Sequence, residues 1–564
     1  MTAICLLPAP AVAQDISQIA QSDPLIITGV VGTQNTYHHS SQGDGYASPW
    51  SSMFYANMNV SLYGISMPFS ISYSNTNWEY NYPHFSLSLS PQYKNWTGYI
   101  GQSSMNMSSY VMNMGFNGVG VEYSSETINS GVFYGILRKA ISDNPADPFA
   151  RTPQLKRVGW GFKVGYGNSR NYLNLYLLRA YDSPNSVDEY WRSKVTPMEN
   201  VVVGLRGGVA PLNWLSFTAN VAMSAFNTDK TAPAIEIEEA QRFDNIFTTR
   251  FSSLSRFAGD ANLNISLAGV NASLTYRLVQ PDYTSLGTYY MSNNYHSLGV
   301  TLSTVLMNRV ALSATFSGQA DNLTKRQLYT TEGYVFGANA STRLGQHFNI
   351  TFGFNGYLQG QSDGTMAVTD SSRVKRQMLS FTCTPSYMLS TETLDHTVSL
   401  SSAYTTNTDL NKFATGESDV NSLSLGLAYD VAVKPWEVNF TASLNHQESH
   451  GYKSIYRSDI GTLGVNRSFL KEKNLNLSLS GSMCYNEVKH QMKSLSMGGN
   501  LSASYTLKKV HTFTAQASFS KYGDVNISKT KSNLDDTDVS VNFSYVYTFS
   551  LLELKRKNAP QNVE

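Results

Sequence analysis

Charge is what this sequence has least of. Of 564 residues, 14% are charged, against about 25% in an ordinary soluble protein. The 41 basic and 40 acidic side chains nearly cancel. No basic excess is left to neutralise phosphates, so a nucleic-acid partner is not expected. No run of about 18 apolar residues occurs, which excludes a transmembrane helix. Cysteine is scarce too: only Cys5, Cys383 and Cys484 occur, with no metal-site spacing. Strand alternation puts Cys383 and Cys484 on opposite faces, so they are not expected to pair. Aromatics, by contrast, are plentiful, with 35 Tyr, 26 Phe and 7 Trp. Little charge and much aromatic surface argue against a disordered chain. They point to a surface that does not face water. With helices excluded, the spanning structure that remains is a closed β-barrel.

The patterning agrees. From about residue 25 the apolar period is two, not 3.6. Leu423, Leu425, Leu427, Tyr429 and Val431 share one face, and Ser424, Gly426, Ala428 and Asp430 the other. Trp436, Val438, Phe440, Ala442 and Leu444 repeat the rule, as do Leu475, Leu477, Leu479, Met483 and Tyr485. A soluble β-sandwich alternates in the same way. Here, however, many strands exceed the usual 5–6 residues, and the polar face is Ser, Thr, Asn and Gly throughout. Connections also alternate in length. Short ones fall near Pro211, Asn308, Gly345, Thr391, Pro435, Glu472 and Lys508. Long ones fall near 227–259, 320–331, 360–373, 407–418, 446–453 and 522–537. Short periplasmic turns and long extracellular loops give this rhythm in outer-membrane barrels. Around Arg457, Asp459 and Arg467 the alternation breaks and fixes no register.

The expected fold is therefore an all-β, antiparallel transmembrane barrel of about 26 strands, with 24 as the alternative count. Trp96, Trp214 and Trp436 flank short turns, whereas Trp50, Trp78 and Trp191 lie in or beside long loops. These two groups predict aromatic girdles at the two membrane interfaces. Ala11-Val12-Ala13 behind a short apolar stretch reads as a signal-peptide cleavage site. The first Lys is Lys94, so the basic start of such a signal is missing, and a clipped or misassigned start is expected. The predicted organisation is a signal remnant over 1–13, a short periplasmic segment over 14–24, the barrel over 25–550 and a periplasmic tail over 551–564.

One segment departs from the period of two. Phe243, Phe247, Phe251, Leu254 and Phe257 recur every three or four residues, with Arg250 among the polar positions between them. That spacing predicts a helix near 236–257. It either caps the neighbouring loops or folds into the pore as a lid or constriction. The rigid Asp143-Asn144-Pro145-Ala146-Asp147-Pro148 loop is a candidate to join it. No catalytic, cofactor-binding or metal-binding set is expected. His38-His39, beside Asp44, is placed in a loop without zinc-like spacing. Gly118-Val119-Gly120 is not followed by a helix that could cradle phosphate.

Three stretches carry a resemblance: Leu62-Tyr63-Gly64-Ile65-Ser66-Met67-Pro68-Phe69-Ser70, then Leu89-Ser90-Pro91-Gln92-Tyr93-Lys94, then Gly118-Val119-Gly120-Val121-Glu122. Over about the first 140 residues the chain resembles a group of large outer-membrane β-barrel proteins of Bacteroidota. The resemblance implies a barrel fold and an outer-membrane location, and it implies no substrate. The last strand, with Val541, Phe543, Tyr545, Tyr547 and Phe549 on one face, resembles the aromatic terminal strand of bacterial outer-membrane proteins. Two functions fit these readings. One is a pore for solutes or larger substrates, with a nearly uncharged wall that would discriminate little between ions. The other is a scaffold in a secretion or assembly complex that docks a lipoprotein or a secreted chain. Outer-membrane lipid is the expected surrounding in both, and a rim enzyme ranks behind them.

Overall fold

The computed structural model describes residues 25–41, 49–63, 65–75, 85–143, 151–235, 246–470, 472–489, 492–524 and 536–554. The signal and N-terminal segments, Trp78, Phe243 and the tail from residue 555 lie outside them. Alternating sequences leave each strand with one apolar face. The chain resolves this by pairing every strand with its neighbours in sequence. All the pairings are antiparallel, and the 27 strands form one sheet. It closes on itself: β1 (Leu25–Ser40) pairs with β2 (Trp50–Leu62) on one side and with β27 (Asp536–Leu554) on the other. Closure removes the sheet edges, which in lipid would leave unpaired backbone groups.

Two strands share one position. β4 (Phe85–Leu89) and β5 (Gln92–Tyr93) both lie between β3 (Ile65–Ser74) and β6 (Trp96–Ser103). Pro91 has no N–H to give the ladder, so the strand breaks there, while the Pro91 carbonyl still accepts from the Gly98 N–H at 2.7 Å. The barrel thus has 26 strand positions, the number expected from the alternation. β27 runs to Leu554, four residues beyond the expected edge at 550.

The apolar rows face outward. On β21 (Val420–Val433) Leu423, Leu425, Leu427 and Tyr429 are 39–48% exposed. This continuous apolar belt is the surface of a membrane-spanning barrel. Trp96, Trp214 and Trp436 are exposed at the rim of short turns, and Trp50 at the opposite rim. Trp191 sits in the loop layer, in a single helical turn (Glu189–Arg192), where its indole N–H donates to the Asp143 carbonyl at 2.9 Å.

Two expectations are corrected. The proposed long loop at 446–453 is a tight hairpin, because β22 (Val438–Gly451) and β23 (Ser454–Phe469) continue into each other through Tyr452-Lys453. The broken alternation there has a cause: Arg457 and Asp459 stand outward, above the apolar belt, and pair across the hairpin. Arg457 Nη2 is 2.7 Å from Glu448 Oε2, and Asp459 Oδ1 is 2.6 Å from His446 Nδ1. His38-His39 is likewise not in a loop but at the end of β1.

Candidate functional site

The segment expected to form a helix does not form one among its described residues. β13 runs Ser253–Leu267 and already contains Leu254 and Phe257. A spacing of three puts these two on opposite faces of a strand; Leu254 faces the lumen and Phe257 is 37% exposed on the outside. Phe247, Arg250 and Phe251 lie in the irregular stretch before the strand, where Arg250 bridges to Ala234 and Phe251 is 76% exposed. They form no lid. The aromatic spacing reflects a strand that starts earlier than the polar residues suggest.

The lumen is instead occupied by two other connections. The first joins β6 to β7 (Phe116–Ser124), and the second joins β14 (Val270–Val279) to β15 (Tyr295–Leu306). Both leave from the long-loop rim and turn inward. In the first, Met105, Met107, Tyr110, Val111, Met112 and Met114 are all buried, with Val111 at 0%. In the second, Tyr283, Ser285 and Leu286 are 1–3% exposed. The two are stitched together. Tyr283 donates its hydroxyl hydrogen to the Tyr110 carbonyl at 2.9 Å, Ser285 Oγ donates to the Val111 carbonyl at 2.5 Å, and Met112 and Gly287 form a parallel bridge.

The wall behind this plug departs from the barrel's rule. Where other inward faces are Ser, Thr and Asn, here Phe116, Phe133, Leu178, Val202, Ala258 and Val279 point inward and are almost completely buried. Phe116 and Phe133 stack with ring centroids 4.6 Å apart. Each such large side chain contributes about 1.5–3 kcal/mol on burial. Polar ties fix the position of the plug. Asn200, fully buried on β11 (Glu199–Leu212), accepts from the Leu286 N–H at 3.1 Å and donates to Ser224 Oγ at 2.8 Å. Ser224 Oγ donates in turn to the Thr284 carbonyl at 2.6 Å. Ser108 Oγ donates to Asn220 Oδ1 at 2.8 Å. Two glycines allow the close approach. A Cβ on Gly204 would meet Val111 Cγ2 at 2.5 Å, and one on Gly287 would meet the Val111 carbonyl oxygen at 2.8 Å.

The lumen is therefore lined unequally. From β7 to β14 the wall carries the plug. On β21 and β22 the inward Ser424, Asn439, Thr441 and Asn445 remain exposed. On these two strands Asp430 is the one inward charge, so the expected nearly uncharged lining holds there. Along the plugged half, charged residues follow the lower edge of the plug. Lys163 is 2.7 Å from Glu122 and also donates to the Asn106 carbonyl at 3.1 Å. Tyr99 donates to the other Glu122 oxygen at 2.9 Å. Arg206, Asn220, Asp260 and Arg277 lie side by side on four successive strands. Between plug and wall is a polar chamber of about 710 Å³ that reaches Glu122, Arg206 and Asp260.

In the loop layer above, Arg151 donates Nε and Nη2 to the two Asp143 oxygens, each at 2.8 Å. These bonds hold the Asp143 carboxyl down at about 2. Among the described residues no group of three His, Cys, Asp or Glu could hold a metal ion.

No known protein family matches the sequence, and no curated protein does. Among solved structures, the chain is similar to the translocation pore of the P pilus usher PapC, at 10% identity and a TM-score of 0.34. The match covers 94% of this chain and 100% of that one. It is also similar to OccAB2 of Acinetobacter baumannii (10% identity, TM-score 0.30, covering 67% of this chain and 96% of that one). A third is OprD of Pseudomonas aeruginosa, with 10% identity, a TM-score of 0.31 and coverage of 67% and 94%. The assignment of a closed barrel rests on the strand pairing described above.

Proposed function

We propose that the protein is a bacterial outer-membrane channel, narrowed on one side by a fixed internal plug, that passes small polar solutes along its exposed half. The observation that carries this reading is the unequal lining. Here Ser424, Asn439, Thr441 and Asn445 stay accessible to water on the inward face opposite the plug. The plug belongs to the channel because its residues are part of the folded core: Tyr283 and Val111 are as buried as the centre of a soluble domain. An internal constriction of this kind sets the passable solute size without closing the lumen.

Planar-bilayer recording of the purified full chain tests the proposal. The expected result is a stable conductance, increased when residues 104–115 are replaced by a short turn. A barrel that stays silent both with and without that segment overturns it. Purification in mild detergent with a stoichiometric second protein would favour the scaffold instead.

A further inference from the structure

The charges beneath the plug form a collar with one cation left over. Glu122 is neutralised by Lys163. Asp260 lies directly opposite Arg277 in the β13–β14 ladder. Neither Arg206 nor Arg277 is in an ion pair among the described residues, but Arg277 hydrogen-bonds to Tyr295, which leaves Arg206 as the cation of the collar without such a partner. Its side chain is exposed to the lumen, and it lines the same chamber as Asp260 and Asn220. Strands lie about 4.8 Å apart, so the row Arg206, Asn220, Asp260, Arg277 spans about 14 Å of inner wall. Arg206 is the first inward residue of β11 not covered by the plug, two positions below Gly204, which lies against Val111. A solute passing the constriction meets this guanidinium at the narrowed level.

We propose that Arg206 makes this collar a recognition site for small organic carboxylates. The inference rests on the channel reading and deepens it by naming the class of solute. Three features favour this class. The surplus charge is a single positive one, which suits a monoanion. A guanidinium presents two parallel donors that match a carboxylate. Across the chamber the plug shows narrow edges of Met105, Met107 and Met114, each 4–7% exposed, whose thioether surface can touch a small apolar or aromatic body. A fully hydrated inorganic anion gains nothing from that surface.

The test uses the full chain in detergent and in planar bilayers, with benzoate and inorganic phosphate as probes. Benzoate should bind the detergent-purified protein in calorimetry, about tenfold more weakly after Arg206→Gln, the scale of one charge-assisted hydrogen-bonded contact. In the bilayer, benzoate should block current at about tenfold lower concentration in the wild type than in Arg206→Gln. A salt gradient should give a reversal potential on the anion-preferring side that moves toward zero in the same variant. Arg376→Gln, an inward arginine on β19 (Lys375–Ser390) in the exposed half, should leave benzoate binding unchanged. Equal benzoate affinity in wild type and Arg206→Gln overturns the proposal, as does an equal loss in Arg376→Gln. Phosphate binding as tight as benzoate overturns the carboxylate assignment. A protein that binds benzoate through Arg206 but carries no current would overturn the channel reading while leaving the site intact.

Discussion

Tyr283 and Tyr110 are 173 residues apart in sequence, yet the hydroxyl of one donates to the backbone carbonyl of the other and their rings meet edge to face at 6.5 Å. This contact makes two separate connections a single body. Without Tyr283 the Tyr110 carbonyl is buried and loses this partner, a cost of about 1–3 kcal/mol. Replacing the whole ring with alanine also leaves a cavity, about 3–5 kcal/mol for an aromatic. Tyr283→Phe should therefore add current noise with little change in mean conductance, and Tyr283→Ala should raise the conductance itself. Single-channel recording distinguishes the two.

Gly287→Ala tests the fit of plug to wall. The added Cβ meets a backbone oxygen of Val111 at 2.8 Å, which cannot rotate away as a side chain could. Overpacking of this kind costs about 1–3 kcal/mol. Protease sites within 104–115 and 280–294 should become accessible from the long-loop side. The barrel should keep its heat-dependent mobility shift in SDS, because no strand pairing is touched.

Leu427 and Ser424 lie three residues apart on β21 and face opposite ways. Leu427→Arg puts a charge on the apolar belt and should destabilise the barrel by about 2–4 kcal/mol in a urea titration in lipid vesicles. Ser424→Arg faces the lumen and should leave that titration unchanged. Equal effects of the two would contradict the assignment of faces.

The Asp143–Arg151 pair gives a pH dependence. The carboxyl of Asp143 is held down at about 2, below the ordinary value of about 3.9. A depressed carboxyl contributes its stabilisation above the ordinary value and loses it as pH falls through the depressed one. Proteolysis of the connection between β8 (Ile128–Arg138) and β9 (Lys156–Gly167) by an acid-active protease should be slow at pH 4 and speed up toward pH 2. Asp143→Asn should be cleaved rapidly at both values. The effect is confined to this loop, because the pair is exposed and well screened.

The barrel was legible because its two surfaces follow one rule. Lipid selects Leu423, Leu425 and Leu427 on one side, and the exposed lumen accepts Ser, Thr, Asn and Gly on the other, so a period of two recurs along the whole chain. The short turns, with Trp96, Trp214 and Trp436 exposed beside them, follow from the same geometry. The plug was not legible, because Met105 and Met107, and again Met112 and Met114, are spaced at two, the same period as the strands around them. The signal that could have exposed it is on the wall: Phe116, Phe133 and Leu178 are apolar on the face that should be polar. The Phe243–Phe257 spacing misled for the complementary reason. A strand with residues of both its faces apolar near the rim, Leu254 inward and Phe257 outward, mimics the spacing of a helix.

The plug also divides the tube mechanically. From β7 to β14 the wall is two layers thick, with side chains interlocked as in a soluble core. Around β21 and β22 it is a single sheet, free to bend as sheets do. On the channel reading, a solute that strains the aperture would flex the thin side, so the width would be set by the stiffness of the half that nothing lines.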